Sequence, residues 1–566
     1  MRRISASFVF FLLLVVSTAQ IAPDKYFVEF TDKNNSPYSF DKPLEFLSQR
    51  ALNRRAVAGI PIVMNDIPVN PDYVEAVSLI GVDVITRSKW FNGVTIHTND
   101  PARIAEIELL PFVSKVLKSG IKPVQPDPVA DKFAIESLPV SPLNPSPGIP
   151  LNIADSADYG LSFTQVHMIR TDMLHNLGYR GKGMIIAILD AGFNLVDQLA
   201  PFDSLWANNQ ILGTRDFVNP GGNVFIGHTH GMSVLSIMGG YVPGQLIGSA
   251  PKADYWLLRS EDTGSEYLIE EYNWVSAAEF ADSVGADVIN SSLGYTVFDD
   301  TTQNHTCADM TGNTTPVTRG ANIAFSKGIL VVNSAGNEGG NPNWHCVSAP
   351  SDGFDVLGVA AVDSNGQYAS FSSTGVVDGL YVKPNIAAMG RQTVISGSDG
   401  TITRGNGTSF SSPVMAGSAA CLWQAFPEFS NATLKSAIEE SASLFMTPNI
   451  YLGYGIPNLY EAYERLTGVD PVFNEESVVV YPNPSNTTGL IHVKITTTAA
   501  QILQVQVVDI TGKQIYTRND IRCIAGDNVI SFSDLSFLKQ GIYILKLCNL
   551  DGPALFETKI IQRIDW

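Results

Sequence analysis

Positive charge, cysteine and long apolar runs are all scarce in this sequence, and each shortage removes a class of function. Its 36 lysines and arginines face 55 aspartates and glutamates, for a net charge of -19. Nucleic-acid binding needs a basic face that neutralises phosphates, so nucleic acid is excluded as a partner. Five cysteines in 566 residues are too few for a disulfide scaffold. None stands in C-x-x-C spacing, which excludes a cysteine zinc site or a dithiol redox motif. Cys307 and Cys346 lie in polar surroundings on either side of Asn337 and are expected to form one disulfide. Cys523 and Cys548 are a candidate second pair, and Cys421 is expected as a buried thiol. The apolar run Phe8–Val16 is too short to span a bilayer, and no other stretch reaches spanning length. Arg2 and Arg3 precede that run and Ser17-Thr18-Ala19 follow it. Residues 1–19 therefore read as a secretory signal peptide cut after Ala19.

What remains divides into four parts, as expected for a chain of this length. Residues 20–120 read as a small α+β domain, with strands near Tyr26–Phe30, Asp83–Thr86, Trp90–Thr98 and Phe112–Val116. Helical spacing covers Leu44–Ala56, Tyr73–Leu79 and Ala102–Leu109. Residues 121–154 are rich in proline, from Pro123 to Pro150, and are expected to be exposed and extended, where a processing cut belongs. Residues 155–468 open with a helix predicted over Phe163–Gly178. Near-continuous apolar runs follow at Met184–Leu189, Asp254–Leu258, Asp287–Asn290, Ile329–Asn333 and Val356–Val362. Helical patterns lie between them at Met232–Met238, Glu271–Val284 and Arg319–Lys327. This alternation predicts an α/β fold, a parallel sheet flanked by helices with its site at the carboxyl ends of the strands. Residues 474–566 hold short alternating runs punctuated by Tyr481-Pro482-Asn483-Pro484 and Asp509-Ile510-Thr511-Gly512, the pattern of a β-sandwich.

The chemistry gathers at three points. Asn406-Gly407-Thr408-Ser409 runs into a helix rich in small and apolar residues, with Pro413 expected in its first turn. The helix N-terminus favours negative charge beside Ser409, so its hydroxyl is a candidate nucleophile. Asp190 ends the apolar run at 184–189, and His230 stands in Gly227-His228-Thr229-His230-Gly231. Taken alone, Ser409 could be an N-cap, Asp190 a turn residue, and His228 with His230 a metal pair. No carboxylate or cysteine stands at ligand spacing from the two histidines, and only His230 precedes glycine. An α/β-hydrolase needs its histidine after the serine, and His492, within the sandwich, is the only one there. Cys421 lacks the polar strand-end setting that a Cys–His enzyme needs.

The order Asp190, His230, Ser409 resembles that of the subtilases, the subtilisin-like serine proteases. Gly407-Thr408-Ser409-Phe410-Ser411-Ser412-Pro413, the strand ending in Asp190 before Ala191-Gly192, and His230-Gly231 carry the likeness. Ala335-Gly336-Asn337 is similar to the segment holding the family's oxyanion asparagine. Ser292-Leu293-Gly294 and Ser334-Ala335-Gly336 resemble the two walls of its first specificity pocket. Their small residues imply room for a fairly large apolar side chain. Ala191 and Met232 depart from the common pattern, which has Ser or Thr and Thr there, but neither departure removes a reacting group.

The resemblance implies a secreted serine endopeptidase acting on proteins and peptides through Asp190, His230 and Ser409, with Asn337 at the oxyanion. Residues 20–120 would be its propeptide; the alternative is a permanent accessory domain. Calcium is the one cofactor implied, as a structural ion, and no acidic loop, Asp299-Asp300 included, assigns its ligands. Tyr-Pro-Asn-Pro, Asp-x-x-Gly and Gly541-Ile542-Tyr543 resemble the sorting domain of the type IX secretion system. They imply export through the periplasm of a Gram-negative bacterium to its surface or beyond, with the secretion machinery as partner. The alternative is a carbohydrate-binding or adhesive sandwich. No transmembrane span and a monomer are expected. The non-enzymatic alternative, a degenerate subtilase fold serving adhesion, is separable by fluorophosphonate labelling, which needs an activated serine.

Overall fold

A computed structural model describes residues 24–118, 133, 156–379, 381–467, 478–481, 491–497, 501–509, 513–524, 526–532, 535, 538, 541–549 and 554–562. The signal peptide and, apart from Phe133, the proline-rich stretch 121–154 lie outside the described residues.

The N-terminal domain is a four-stranded antiparallel sheet. Its strands are β1 (Lys25–Phe30), β2 (Asp83–Ser88), β3 (Gly93–His97) and β4 (Val113–Lys118), in the order β2-β3-β1-β4. With helices α1 (Gln49–Val57), α2 (Pro71–Leu79) and α3 (Pro101–Glu108) it makes a split βαβ arrangement. Each helix starts on a side-chain cap: Ser48 accepts from Ala51 N–H, Asn70 from Asp72 and Asp100 from Ala102. Val28, Val94 and Ile96 on the sheet meet Val74, Val77 and Ile107 on α2 and α3 to form a small core.

Seven strands build the central sheet: β5 (Ile185–Asp190), β6 (Ile211–Asp216), β7 (Asp254–Arg259), β8 (Val288–Ser291), β9 (Leu330–Ser334), β10 (Leu357–Val362) and β11 (Ile386–Met389). Their order is β11-β10-β9-β8-β5-β7-β6, and every pairing is parallel. On β5, Ile186 and Ile188 enter the core under α4 (His230–Gly239) and α7 (Thr408–Ala425). Ile185, Ala187 and Leu189 enter the opposite core under α5 (Ile269–Val284) and α6 (Pro316–Ser326). A strand buried on both faces must be apolar throughout, which is why β5 reads as an unbroken run. The opening helix differs from expectation. It is two short helices, Phe163–His167 and Thr171–Asn176, broken where Arg170 turns left-handed at φ 61°.

The N-terminal sheet lies on α5. Asp282 of α5 receives Arg54 at 2.7 Å, Arg55 at 2.8 Å and Lys89 at 3.1 Å, all buried. Glu279, one turn earlier, accepts from Ser88 Oγ at 2.5 Å, Lys89 N–H at 2.7 Å and Trp90 N–H at 3.0 Å. Phe27 stacks on Tyr272 with ring centroids 4.3 Å apart. Gly285 closes α5 at φ 86°, and a Cβ there would stand 2.8 Å from Arg50 Cβ, so the docked α1 requires glycine at that point.

The C-terminal domain pairs a three-stranded sheet (Val478–Tyr481, Ile491–Thr497, Gly526–Phe532) with a four-stranded sheet (Gln514–Cys523, Gln501–Asp509, Gly541–Asn549, Ala554–Gln562). Val493, Ile495, Leu503, Val505, Leu545 and Leu547 fill the space between them. Cys307 and Cys346 are disulfide-bonded. Cys523 and Cys548 are not joined, contrary to expectation. Their strands flank Gln501–Asp509 on opposite sides, opposite Gln501 and Gln504. Two strand spacings, about 9–10 Å, exceed the reach of a disulfide.

Candidate active site

Three strand ends and two helix starts meet above the sheet. Asp190 closes β5 and is fully buried. Its Oδ1 accepts from the following Ala191 N–H at 2.7 Å and from His230 Nδ1 at 2.8 Å. A carboxylate only accepts, so Nδ1 carries a proton, and in the neutral ring Nε2 is left as the acceptor. Among the described residues, Asp190 Oδ2 has no hydrogen-bond partner. His230 opens α4, and its backbone N–H is bound by His228 Nδ1 at 3.1 Å. His228 therefore holds the start of the helix. Gly231 is required because a Cβ there would stand 2.5 Å from the Gly192 carbonyl oxygen and 2.9 Å from Asp190 Cβ. The close approach of α4 to β5 thus depends on the glycine after the histidine.

Ser409 is the second residue of α7 and is half-buried. Phe410 stacks beside the His230 ring at 6.2 Å between centroids, which brings the starts of α4 and α7 together. The Ser409 hydroxyl donates to the Ser292 carbonyl at 3.3 Å and not to His230. Such hydrogen bonds are often absent before substrate binds. In return Ser292 Oγ donates to the Ser409 carbonyl at 2.8 Å. This corrects the reading of Pro413. The helix begins at Thr408, so Pro413 lies past its first turn. Pro413 has no N–H for the Ser409 carbonyl four residues back, and Ser292 supplies the missing donor.

Asn337 follows β9 and is exposed. Its Oδ1 accepts both Thr408 N–H and Thr408 Oγ1–H, each at 2.9 Å. With the oxygen held by Thr408, Nδ2 lies beside Gly407, 3.9 Å from where a Cβ on that glycine would lie. The Ser409 N–H is 3.6 Å from the same point. Two donor nitrogens thus lie near one point. Thr408, which no sequence reading assigned a role, also accepts Gly336 N–H at 3.2 Å.

The two candidate walls follow β8 and β9. Asn333 Nδ2 at 3.0 Å and Ser334 Oγ at 3.3 Å both donate to the Leu293 carbonyl and tie the walls together. Ser292, Leu293, Ser334 and Ala335 are buried. Ser348 lies between the walls. A Cβ on Gly294 would stand 2.9 Å from Ser348 Cβ, and one on Gly336 2.2 Å from Ser348 Oγ. Phe133, from the stretch expected to be exposed, is buried, with its ring 4.9 Å from His230 and 5.6 Å from His228. Ser348 and Phe133 were not legible in advance, since neither stands in a motif.

A buried aspartate–histidine pair beside a serine at a helix start, with two donor nitrogens close by, is the equipment of a serine hydrolase. The chain belongs to the subtilase family, whose model matches residues 181–465. A peptidase S8 propeptide domain of Bacteroidota matches residues 25–132, and a secretion system C-terminal sorting domain matches residues 479–562. Subtilisin E of Bacillus subtilis (strain 168) is 30% identical over 313 residues, covering 55% of this chain and 72% of that protein. Subtilisin of Bacillus pumilus is 30% identical over 313 residues, covering 55% of this chain and 99% of that protein. The crystal structure of MycP1 from Mycobacterium smegmatis is similar at 23% identity and a TM-score of 0.42, covering 55% of this chain and 86% of the other.

The protein is a serine-type endopeptidase made with a propeptide and exported by a sorting domain to the cell surface or beyond. Among the described residues, no helix is long and apolar enough to cross a membrane.

Proposed function

We propose that Ser409, His230 and Asp190 perform the peptide hydrolysis and that the N-terminal domain keeps the site closed until it is cut away. Ser409 Oγ attacks the scissile carbonyl carbon while His230 Nε2 takes its proton. The tetrahedral oxyanion receives hydrogen bonds from Asn337 Nδ2 and Ser409 N–H. His230 then protonates the leaving amine, the C–N bond breaks, and water repeats the sequence on the acyl-enzyme. Asp190 holds the imidazole in the required tautomer and stabilises its charged form. The observation that carries this reading is the 2.8 Å contact from His230 Nδ1 to Asp190 in a buried setting beside Ser409.

Phe133 over His230 supports the closed state. Ser348 between Gly294 and Gly336 supports a first pocket smaller than the glycine walls alone imply. The site draws all its residues from one chain, which supports action as a monomer, and the net charge of -19 supports protein rather than nucleic acid as partner. Calcium enters this reading only as a structural ion. Asp300 instead caps a turn by accepting Thr302 N–H at 3.1 Å, and Asp299 accepts Glu266 N–H at 3.1 Å. The carboxylates of Glu261, Glu266 and Glu270, within 4.8 Å of one another, have the oxygen-donor chemistry such an ion takes.

Ser409→Ala is expected to abolish cleavage of a denatured protein by the processed enzyme. The cut sites left by the unaltered enzyme should be enriched in small side chains before the scissile bond. Activity of Ser409→Ala within a few fold of the unaltered enzyme would sink the assignment. Cut sites dominated by Phe, Tyr or Leu would sink the small-pocket reading.

A further inference from the structure

We propose that the sorting sandwich is docked on the protease through Ile502 and Arg522, and that their docking surface exists only once the protease has folded. The inference rests on the arrangement of the two domains and not on the role of Ser409. Ile502 and Arg522 lie directly opposite each other on neighbouring strands. Their neighbours Leu503, Ile521 and Cys523 are buried inside the sandwich. Side chains alternate along a strand, so Ile502 and Arg522 share the outer face. There Ile502 packs against the main core of the catalytic domain.

Arg522 enters a cradle made of two rings. Its guanidinium carbon is 5.3 Å from the centre of Phe445 and 5.5 Å from that of Tyr454. Nη2 donates to Tyr454 Oη at 3.2 Å and Nη1 to the Phe445 carbonyl at 3.4 Å. The rings are themselves 5.4 Å apart and mostly buried. A cation held over two aromatic faces with both ends of its fork engaged is a specific contact that a lysine would not reproduce.

The cradle is assembled late. Tyr454 is fixed by its N–H to the Asn385 carbonyl at 2.7 Å, just before β11 at the edge of the central sheet. Asn385 is in turn held by its Nδ2 donating to Glu439 at 2.7 Å, on the helix Asn431–Glu440 that precedes Phe445. The two rings meet only when the last sheet strand and this helix are in place. A chain with an unfolded protease would carry its sorting sandwich undocked, so the export address of folded and unfolded chains would differ in exposure.

The test uses the full-length chain with Ser409→Ala to prevent self-digestion. It compares the rate at which a low dose of a glutamate-specific endopeptidase, which can cut after Glu475 or Glu476 between the two domains, releases the C-terminal domain, and the maximum dimension from small-angle scattering. Arg522→Ala should raise the release rate about tenfold, the size expected from losing the ring contacts and two hydrogen bonds, and should lengthen the particle. Tyr454→Phe, which alters only the protease side and keeps the ring, should raise release by a smaller factor. Combined with Arg522→Ala it should add nothing. Unchanged release and dimensions in Arg522→Ala would overturn the proposal. So would fully additive effects of the two substitutions.

Discussion

Thr408→Val probes how Asn337, the proposed oxyanion donor, is aimed. Valine matches threonine in shape, and the site is fully buried, so the change removes the hydroxyl and little else. Two hydrogen bonds go with it: Thr408 Oγ1 to Asn337 Oδ1 at 2.9 Å, and Gly336 N–H to Thr408 Oγ1 at 3.2 Å. The backbone N–H of residue 408 still holds Asn337 Oδ1 at 2.9 Å, so the amide is loosened and not released. One neutral hydrogen bond is worth about 1 kcal/mol, which lowers kcat about five- to tenfold. Removing the amide itself with Asn337→Ala should cost about 100- to 1000-fold. KM should stay within about twofold in both, because the donors act on charge that develops after binding. Steady-state kinetics on a peptide substrate gives both constants. The decisive comparison is the double variant. If Thr408 acts only through Asn337, adding Thr408→Val to Asn337→Ala costs nothing more. A full additional loss in the double variant would refute the reasoning, as would a change carried by KM alone.

Asp282→Asn should weaken the hold of the N-terminal domain by about 3–5 kcal/mol, since Arg54, Arg55 and Lys89 would stay buried without their shared carboxylate. In the full-length Ser409→Ala chain this should appear as earlier melting of the N-terminal domain, and unchanged melting would count against it. Glu279 gives that hold a pH dependence. Burial lifts its carboxyl to about 7, against the charge of Lys89 and the hydrogen bonds from Ser88, Trp90 and Lys89. The bound value lies above the ordinary 4.5, so docking takes up a proton. The contribution is complete below 4.5 and is lost as pH rises through 7. Melting of the N-terminal domain should therefore come earlier at about pH 8 than at about pH 5, and Glu279→Gln should flatten the difference.

The inner strands of the catalytic sheet are legible because burial on both faces forces continuous apolar runs. The outer ones are not. Ile211–Asp216 is half-exposed, carries Gly213, and looks like a loop. Ile386–Met389 is four residues long and follows Pro384. The helix at Phe163 reads as continuous because periodicity takes no account of the left-handed turn at Arg170. Asp190, His230 and Ser409 can be picked out because each sits where a strand or helix changes into a turn, and such sites have local signatures. The aim of Asn337 has none, since it depends on Thr408 across 71 positions. The same limit hid the second role of Ser292, whose hydroxyl replaces the donor that Pro413 lacks. The sandwich strands are legible from alternation alone, yet their order is not, which is why Cys523 and Cys548 seemed a natural pair.

The contact between the N-terminal domain and α5 differs in kind from the cores on either side of it. Between sheet and helices the protease buries apolar side chains, and uncovering them would cost the fold. At Asp282 and Glu279 it buries charged and hydrogen-bonding groups against Arg54, Arg55, Lys89 and Ser88. Such pairs lose hydration on docking nearly as much as they gain in attraction, so their net contribution is small while a single mismatch is costly. An interface of this kind selects its partner strictly and holds it no more tightly than necessary. When the domain departs, both sets of charges return to water and leave a polar surface. An equally large apolar contact would instead leave the secreted enzyme with an adhesive patch. The apolar part of the contact is a few side chains: the Phe27–Tyr272 stack with its neighbours, and Trp90, which joins the core under α5. The chemistry of the interface thus suits a propeptide, which must fit one protease and then come off it.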